Sequence, residues 1–167
     1  FTDCEYSCLP FEIPYYVFEY VTGKTSKTTG IKYTTNSLDG TAKITGYVGE
    51  SSDVIIPAYV SDGKQAYKVT DISKGAFAGA PIRSIVLGEF ITAIPDNCFK
   101  NCSLLEEVIG GFTEIGDEAF AGCTKLTNMN IPSNVVKIGT NAFVGAKSIN
   151  VRAINSLAAY TEATKLL

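Results

Sequence analysis

The chain has 167 residues, of which 46% are hydrophobic, so it is long enough for one domain with a sizeable buried core. Its formal net charge of −3 and pI of about 5.0, with Lys and Arg scattered along the chain, argue against nucleic-acid binding. The absence of histidine excludes Ser–His and Cys–His nucleophile pairs, and the absence of any run of about 18 apolar residues argues against a membrane span.

The first 22 residues are rich in aromatic side chains, and part of this segment has aromatic residues at every second position, as in a β-strand. Tyr16, Phe18 and Tyr20 alternate with residues of other types. One interpretation is a strand that covers an open edge of the core. The alternative is an aromatic surface at Tyr15, Tyr16 and Tyr20 that binds carbohydrate, with tyrosine taking the place of the tryptophan that the chain lacks.

Residues 31 to 47 predict a β-hairpin, because Asp39-Gly40 is a strong turn signal between two β-prone segments. We expect this hairpin to cover the first end of the core as an N-terminal cap. Residues 61 to 68 are polar and contain a glycine, and they predict a loop.

From Val69 onwards, one phrase of sequence occurs four times. It consists of an isoleucine followed five residues later by a phenylalanine with small neighbours. The isoleucines are Ile72, Ile94, Ile115 and Ile138, and the phenylalanines are Phe77, Phe99, Phe120 and Phe143, at intervals of 22, 21 and 23 residues. A period of this length predicts a solenoid in which each set of residues stacks as a buried ladder.

Short β-prone runs lie between the phrases and predict one strand of a parallel sheet in each turn of the solenoid. These runs are residues 54–57, 85–88, 108–110, 129–132 and 149–151. Asp96, Asp117 and Thr140 precede the phenylalanines and are predicted to cap single turns of helix. Asp96 and Asp117 recur at one repeat position, as a catalytic carboxylate pair would, but helix capping is the favoured interpretation.

The segment from Ile115 to Gly139, IGDEAFAGCTKLTNMNIPSNVVKIG, closely resembles the BspA-like class of leucine-rich repeats. The resemblance extends over about residues 33 to 152, and residues 38–47 are similar to the family's N-terminal capping segment. The departures from the family pattern are Ser73, Pro95, Cys98 and a shortened repeat around Pro81. The resemblance implies a secreted or surface protein that mediates adhesion or protein contacts without catalysis.

We therefore predict one leucine-rich repeat domain over residues 1–167. It is expected to be a β-rich, right-handed solenoid with a parallel sheet and short helical stubs, capped at both ends. Residues 1–47 would form the aromatic segment and hairpin cap, 48–152 the repeats, and 153–167 a C-terminal helical cap. The predicted role is a non-enzymatic interaction or adhesion module, extracellular or at the cell surface, that binds a protein such as a host matrix or cell-surface protein; glycans are the alternative ligand.

The outward residues of the predicted strands define the expected binding surface, because strand side chains alternate between the two faces of a sheet. The predicted sheet-face site comprises Ile55, Val86, Glu107, Ile109, Asn128, Asn130 and Asn150. Its apolar members would contact a protein partner. The alternative is that residues 1–22 of the same chain cover them.

The cysteines fall into two groups. Cys102 and Cys123 occupy one ladder position, and stacked side chains point in the same direction, so these two and Cys98 are predicted to be buried free thiols. Cys4 and Cys8 are spaced for a local disulfide as readily as for two free thiols. No metal site and no cofactor is predicted.

Overall fold

The computed structural model describes residues 30–146 and 150–151, which form β-strands joined by turns and contain no helix. The strands are β1 (Ile31–Asn36), β2 (Thr41–Tyr47), β3 (Asp53–Ile55), β4 (Tyr59–Ser61), β5 (Ala66–Ile72), β6 (Ser84–Val86), β7 (Ala93–Ile94), β8 (Glu107–Ile109), β9 (Glu114–Ile115), β10 (Asn128–Ile131), β11 (Lys137–Ile138) and β12 (Asn150–Val151). In this part of the chain no helix is therefore long and apolar enough to cross a membrane.

Two parallel sheets run along the solenoid, as the repeat period predicts. One has five strands in the order β12-β10-β8-β6-β3, and the other has three strands in the order β11-β9-β7. Each step between neighbouring strands of a sheet advances the chain by one turn of the solenoid, which we call a coil. Strand order and register follow the repeat because equivalent residues pair, as Ile94 does with Ile115 and Ile115 does with Ile138.

A four-stranded sheet, β1-β2-β5-β4, lies at the first end of the described solenoid. Strands β1 and β2 form the antiparallel hairpin that was predicted to turn at Asp39-Gly40. Strand β2 then pairs in parallel with β5, so that Ile44 lies beside Ile72 and begins the isoleucine ladder inside the hairpin. The hairpin thus supplies the first rung of the core.

The predicted ladders form the core. The ladder isoleucines are buried, and the rings of Phe77, Phe99, Phe120 and Phe143 stack with centroid separations of 5.4, 5.3 and 5.3 Å. The ring of Tyr47 lies 5.9 Å from that of Phe77 and covers the end of this stack. The ladders stabilise the fold because each ring removes its neighbours' faces from water.

The predicted helical stubs are replaced by bends, at residues 73–80, 95–102, 116–123 and 139–146. Each bend contains two positions with positive φ: Gly75 and Gly79, Asn97 and Asn101, Glu118 and Gly122, Asn141 and Gly145. Left-handed residues at this spacing interrupt a helix, which needs consecutive right-handed ones. The prediction of helix caps at Asp96, Asp117 and Thr140 is therefore wrong, because no helix follows them.

Backbone hydrogen bonds in the bends alternate between local and inter-coil partners. The N–H of Ala121 donates to the carbonyl of Glu118 in its own bend, at 3.1 Å. The N–H groups of Phe120 and Gly122 instead donate to Ala142 and Val144 of the next coil, both at 2.7 Å. The bends are thus held by the neighbouring coil, a requirement that a local helical signal does not reveal.

The loop predicted at residues 61–68 is largely a hairpin. Ser61 closes β4, residues 66–68 belong to β5, and the two strands pair antiparallel around a short turn. Asp62 organises this turn by accepting hydrogen bonds from the backbone N–H groups of Lys64 and Gln65 and from the Tyr67 hydroxyl. Polar composition here marked a tight turn and not an extended loop.

Several predictions fall on residues outside the described ones. These are the N-terminal aromatic strand with Tyr15, Tyr16 and Tyr20, the pair Cys4 and Cys8, and the C-terminal helical cap at 153–167. They stay predictions, as does the extent of the domain over residues 1–167.

Candidate functional site

The outer face of the five-stranded sheet carries an apolar row formed by Ile55, Val86 and Ile109. Ile55 pairs with Val86, and Val86 pairs with Ile109, so that the three residues lie side by side on strands about 4.8 Å apart. Ile55 is 45% exposed and Ile109 49%, whereas Val86 is half-buried between them. The neighbouring residues Val54, Ile85 and Val108 are buried on the inner face, as alternation requires.

A polar row runs parallel to the apolar row, two residues earlier on each strand. It is formed by Asp53, Ser84 and Glu107, and Asn128 continues it by pairing with Glu107. The Ser84 hydroxyl donates to the Asp53 carboxylate at 2.7 Å, and the Arg83 guanidinium lies 3.3 Å from the same group. These donors hold the pKa of the Asp53 carboxyl below its usual range, with the Ser84 hydrogen bond as the largest cause.

The remaining predicted site residues extend the face along β10 and β12. Asn130 pairs with Asn150. Asn128 pairs with Glu107, so Asn130, two residues further along β10, is in register with Ile109, two residues further along β8. The strand register therefore places the predicted site residues at neighbouring positions of one sheet. Whether this surface binds anything stays a prediction.

The recurrent carboxylates of the bends serve the fold. Asp96 accepts the backbone N–H of Asp117 at 3.0 Å, and Asp117 in turn accepts that of Thr140 at 2.7 Å, so each carboxylate joins its coil to the next. Lys74 donates to Asp96 at 2.6 Å and, with the Asp117 N–H as the next cause, lowers the pKa of the Asp96 carboxyl. These hydrogen bonds account for the recurrence that resembled a catalytic pair.

Glycine is required where such a carboxylate meets the next coil. A Cβ added at Gly116 would lie 2.5 Å from the backbone nitrogen and Oδ1 of Asp96, and one added at Gly139 would lie 2.4 Å from the backbone nitrogen of Asp117. Pro95 occupies the position that corresponds to Gly116 and Gly139. In the preceding coil, Lys74 occupies the position that corresponds to the aspartates.

The predicted free thiols are confirmed for Cys98, Cys102 and Cys123, which are buried and unpaired. Cys102 Sγ donates to the carbonyl of Phe77 at 2.9 Å, and Cys123 Sγ donates to that of Phe99 at 3.1 Å. Burial raises the pKa of Cys102 to about 11 and that of Cys123 to about 12. Thiols in this state are poor nucleophiles and poor metal ligands. No cluster of three or more metal-ligating side chains occurs within residues 30–146 and 150–151.

Sequence patterns did not reveal an aromatic contact between the four-stranded sheet and the turn that follows β6. Tyr59 packs edge-on against Phe90 at a centroid distance of 5.5 Å, and the Lys68 ammonium lies 4.4 Å from the Phe90 ring centroid. These residues come from two strands and a turn, outside the repeated phrase. Since each occurs once, no periodic signal links them.

The family model of the BspA type leucine rich repeat region matches residues 64–150 of this chain in six copies, a range that is more than half of the chain. The chain belongs to the BspA-type leucine-rich repeat family. The family match and the parallel sheets confirm the predicted solenoid fold.

Solved structures of bacterial leucine-rich repeat proteins are similar to this family member. A protein from Bacteroides capillosus ATCC 29799 is 28% identical, with a TM-score of 0.64 over 73% of this chain and 91% of its own length. One from Bacteroides ovatus ATCC 8483 is 29% identical, with a TM-score of 0.64 over 70% of this chain but only 32% of its own. A leucine rich cell surface protein from Faecalibacterium prausnitzii A2-165 is 26% identical, with a TM-score of 0.55 over 72% of this chain and 40% of its own. No curated protein matches the sequence.

Proposed function

We propose that this BspA-type solenoid is a non-enzymatic interaction or adhesion module, extracellular or at the cell surface, that binds a protein partner through the outer face of its five-stranded sheet. The observation that carries the proposal is the apolar row of Ile55, Val86 and Ile109, which is aligned by strand pairing and open on its outer side among the described residues. A surface location is supported by the similarity to the Faecalibacterium prausnitzii cell surface protein.

The row suits binding because the structure beneath it is rigid. Each outward residue stands on a strand whose inward neighbour is almost fully buried, such as Ile85 under the centre of the row. Hydrogen bonds on both sides of β6 and β8 fix the spacing of the side chains before any partner arrives. A preformed surface loses little conformational entropy on binding.

The row is also small, which limits how tightly one module can bind. Full burial of a Val or Ile side chain is worth about 1.5–3 kcal/mol, and these side chains are already partly covered. Association costs at least about 4 kcal/mol in lost freedom of motion. We therefore expect weak binding by a single module and useful adhesion only when many copies act together.

The test is a binding screen of the full chain against extracellular-matrix proteins and glycans, displayed in many copies on beads. The double variant Val86→Ser/Ile109→Ser is compared with wild type. The matched control is Val136→Ser, which removes a 59% exposed valine close to the three-stranded sheet.

Loss of protein binding in the double variant, with melting temperature and control binding unchanged, supports the proposal. A large fall in melting temperature would mean that the row is covered within the chain, for instance by residues 1–22, and would overturn it. Binding to glycans that is lost on changing Tyr15, Tyr16 or Tyr20 would instead favour the carbohydrate alternative.

A further inference from the structure

Charge is distributed unevenly around the described solenoid. Lys32, Lys43 and Lys68 lie on strands of the four-stranded sheet, and Lys137 lies on the three-stranded sheet. Lys74 and Lys100 lie in the bends, where they pair with Asp96 and Glu118. These cations therefore lie outside the five-stranded sheet, whereas Arg83 and Lys125 precede its strands β6 and β10.

The face that carries the apolar row has an acidic margin. Its nearest cation in sequence, Arg83, is already paired with Asp53 at 3.3 Å. Glu107 is exposed on β8 and forms no ion pair with any residue that the structure describes. Among the described residues it is thus a negative charge on the polar row with no ion-pair partner.

Glu107 and Ile109 stand on the same face of one strand, two residues apart, so their Cα atoms are separated by about 7 Å. We infer that the partner is a cationic, aliphatic protein surface, one that places a Lys or Arg side chain against Glu107 and apolar side chains against Val86 and Ile109. This inference rests on the proposed function and adds the chemical class of the partner.

The electrostatic part of such a contact differs from the apolar part in its response to salt. An ion pair at an exposed margin is screened as ionic strength rises, whereas burial of the apolar row is not. The ion pair contributes mainly to the association rate and to the choice of partner. One exposed ion pair corresponds to at most about a fivefold change in affinity.

The partner class can be tested by selecting random peptides on multivalent phage against the full immobilised chain. Four baits are used: wild type, Glu107→Lys, Val86→Ser/Ile109→Ser, and Glu114→Lys. Glu114 is the matched control because it is also an exposed strand glutamate, but it lies on the three-stranded sheet. Multivalent display compensates for weak single contacts.

The expected result is that wild type and Glu114→Lys select peptides in which Lys or Arg accompanies aliphatic residues. Glu107→Lys should lose that preference for cations, and a selected peptide should bind it about fivefold more weakly than wild type at low salt. This difference should shrink at 1 M salt. A charge composition that is the same on wild type and Glu107→Lys would overturn the inference.

The two proposals fail in distinguishable ways. If the Val86→Ser/Ile109→Ser bait loses the selected peptides while Glu107→Lys keeps them, the apolar row is the binding site and the cationic partner class is wrong. If both baits keep the peptides, the sheet-face site itself is wrong, and the partner class fails with it.

Discussion

The bends and the outer face of the five-stranded sheet use their side chains in opposite ways. In the bends, the carboxylates of Asp96 and Asp117 accept hydrogen bonds from the next coil, and Cys102 and Cys123 donate to the previous one. On the sheet face, Ile55 and Ile109 remain about half exposed. In the bends, the recurrence of polar residues therefore marks structural use, because their side chains bond to the neighbouring coil.

The phenylalanine stack provides the strongest test of the conclusion that side chains in the bends serve the fold. Phe120 is fully buried, with Phe99 and Phe143 each stacked at 5.3 Å, so Phe120→Ala leaves a cavity in the middle of the ladder. We expect the free energy of unfolding to fall by about 3–5 kcal/mol. Urea denaturation measures it, and a loss below about 1 kcal/mol would contradict a close-packed ladder.

The buried thiols provide a second test of the structural role of side chains in the bends. Cys98, Cys102 and Cys123 should react with a thiol reagent only through unfolding, at least about a thousandfold more slowly than in denatured chain. Peptide mass spectrometry after timed labelling measures each site separately. Fast labelling of Cys102 in native protein would show that the bends open locally.

The contact between carboxylate and glycine is tested by Gly139→Ala. Its Cβ would lie 2.4 Å from the backbone of Asp117, so we expect the unfolding free energy to fall by about 1–3 kcal/mol. Gly111→Ala is the matched control, since its Cβ would meet nothing within 4 Å. Thermal unfolding compares the two, and an equal effect in both would show that the close approach is absent.

The pH dependence of Asp96 is a smaller effect. Its pKa is lowered in the folded state by Lys74 and by the Asp117 N–H, so its stabilising contribution is present above the ordinary aspartate pKa and is lost as the pH falls through the lowered value. Wild type should therefore exceed Asp96→Asn in stability above about pH 4 and converge with it in stronger acid. Urea titrations across this range measure the difference, and a constant offset would show that Asp96 has no shifted pKa.

The smallest stability change is expected on the sheet face. Val86→Ser/Ile109→Ser should alter the unfolding free energy by less than about 1 kcal/mol per site, because both residues project outward and lose little contact. Differential scanning calorimetry provides the measurement. A loss of the size expected for Phe120→Ala would remove the distinction between the two regions.

Much of the fold and part of the candidate site could be predicted from the sequence. The period of Ile72, Ile94 and Ile115 indicated stacked coils, and period-two alternation around Val86 indicated which side of the strand faces outward. The aromatic contact of Tyr59 with Phe90 had no such signal, because it joins residues that occur once and lie far apart in the chain.

The sequence by itself determined the repeat, its ladders and the unpaired state of the ladder thiols. In a stacked repeat, each buried side chain lies beside the side chains at the equivalent position of the neighbouring coils. Only the tertiary structure decided what the bends are. Asp96 and Asp117 resemble helix caps locally, yet their hydrogen bonds run to the next coil, and left-handed residues such as Asn97 and Glu118 turn the chain where a helix would have continued. The partner of a hydrogen bond between coils lies a full repeat away, so no local propensity could have identified it.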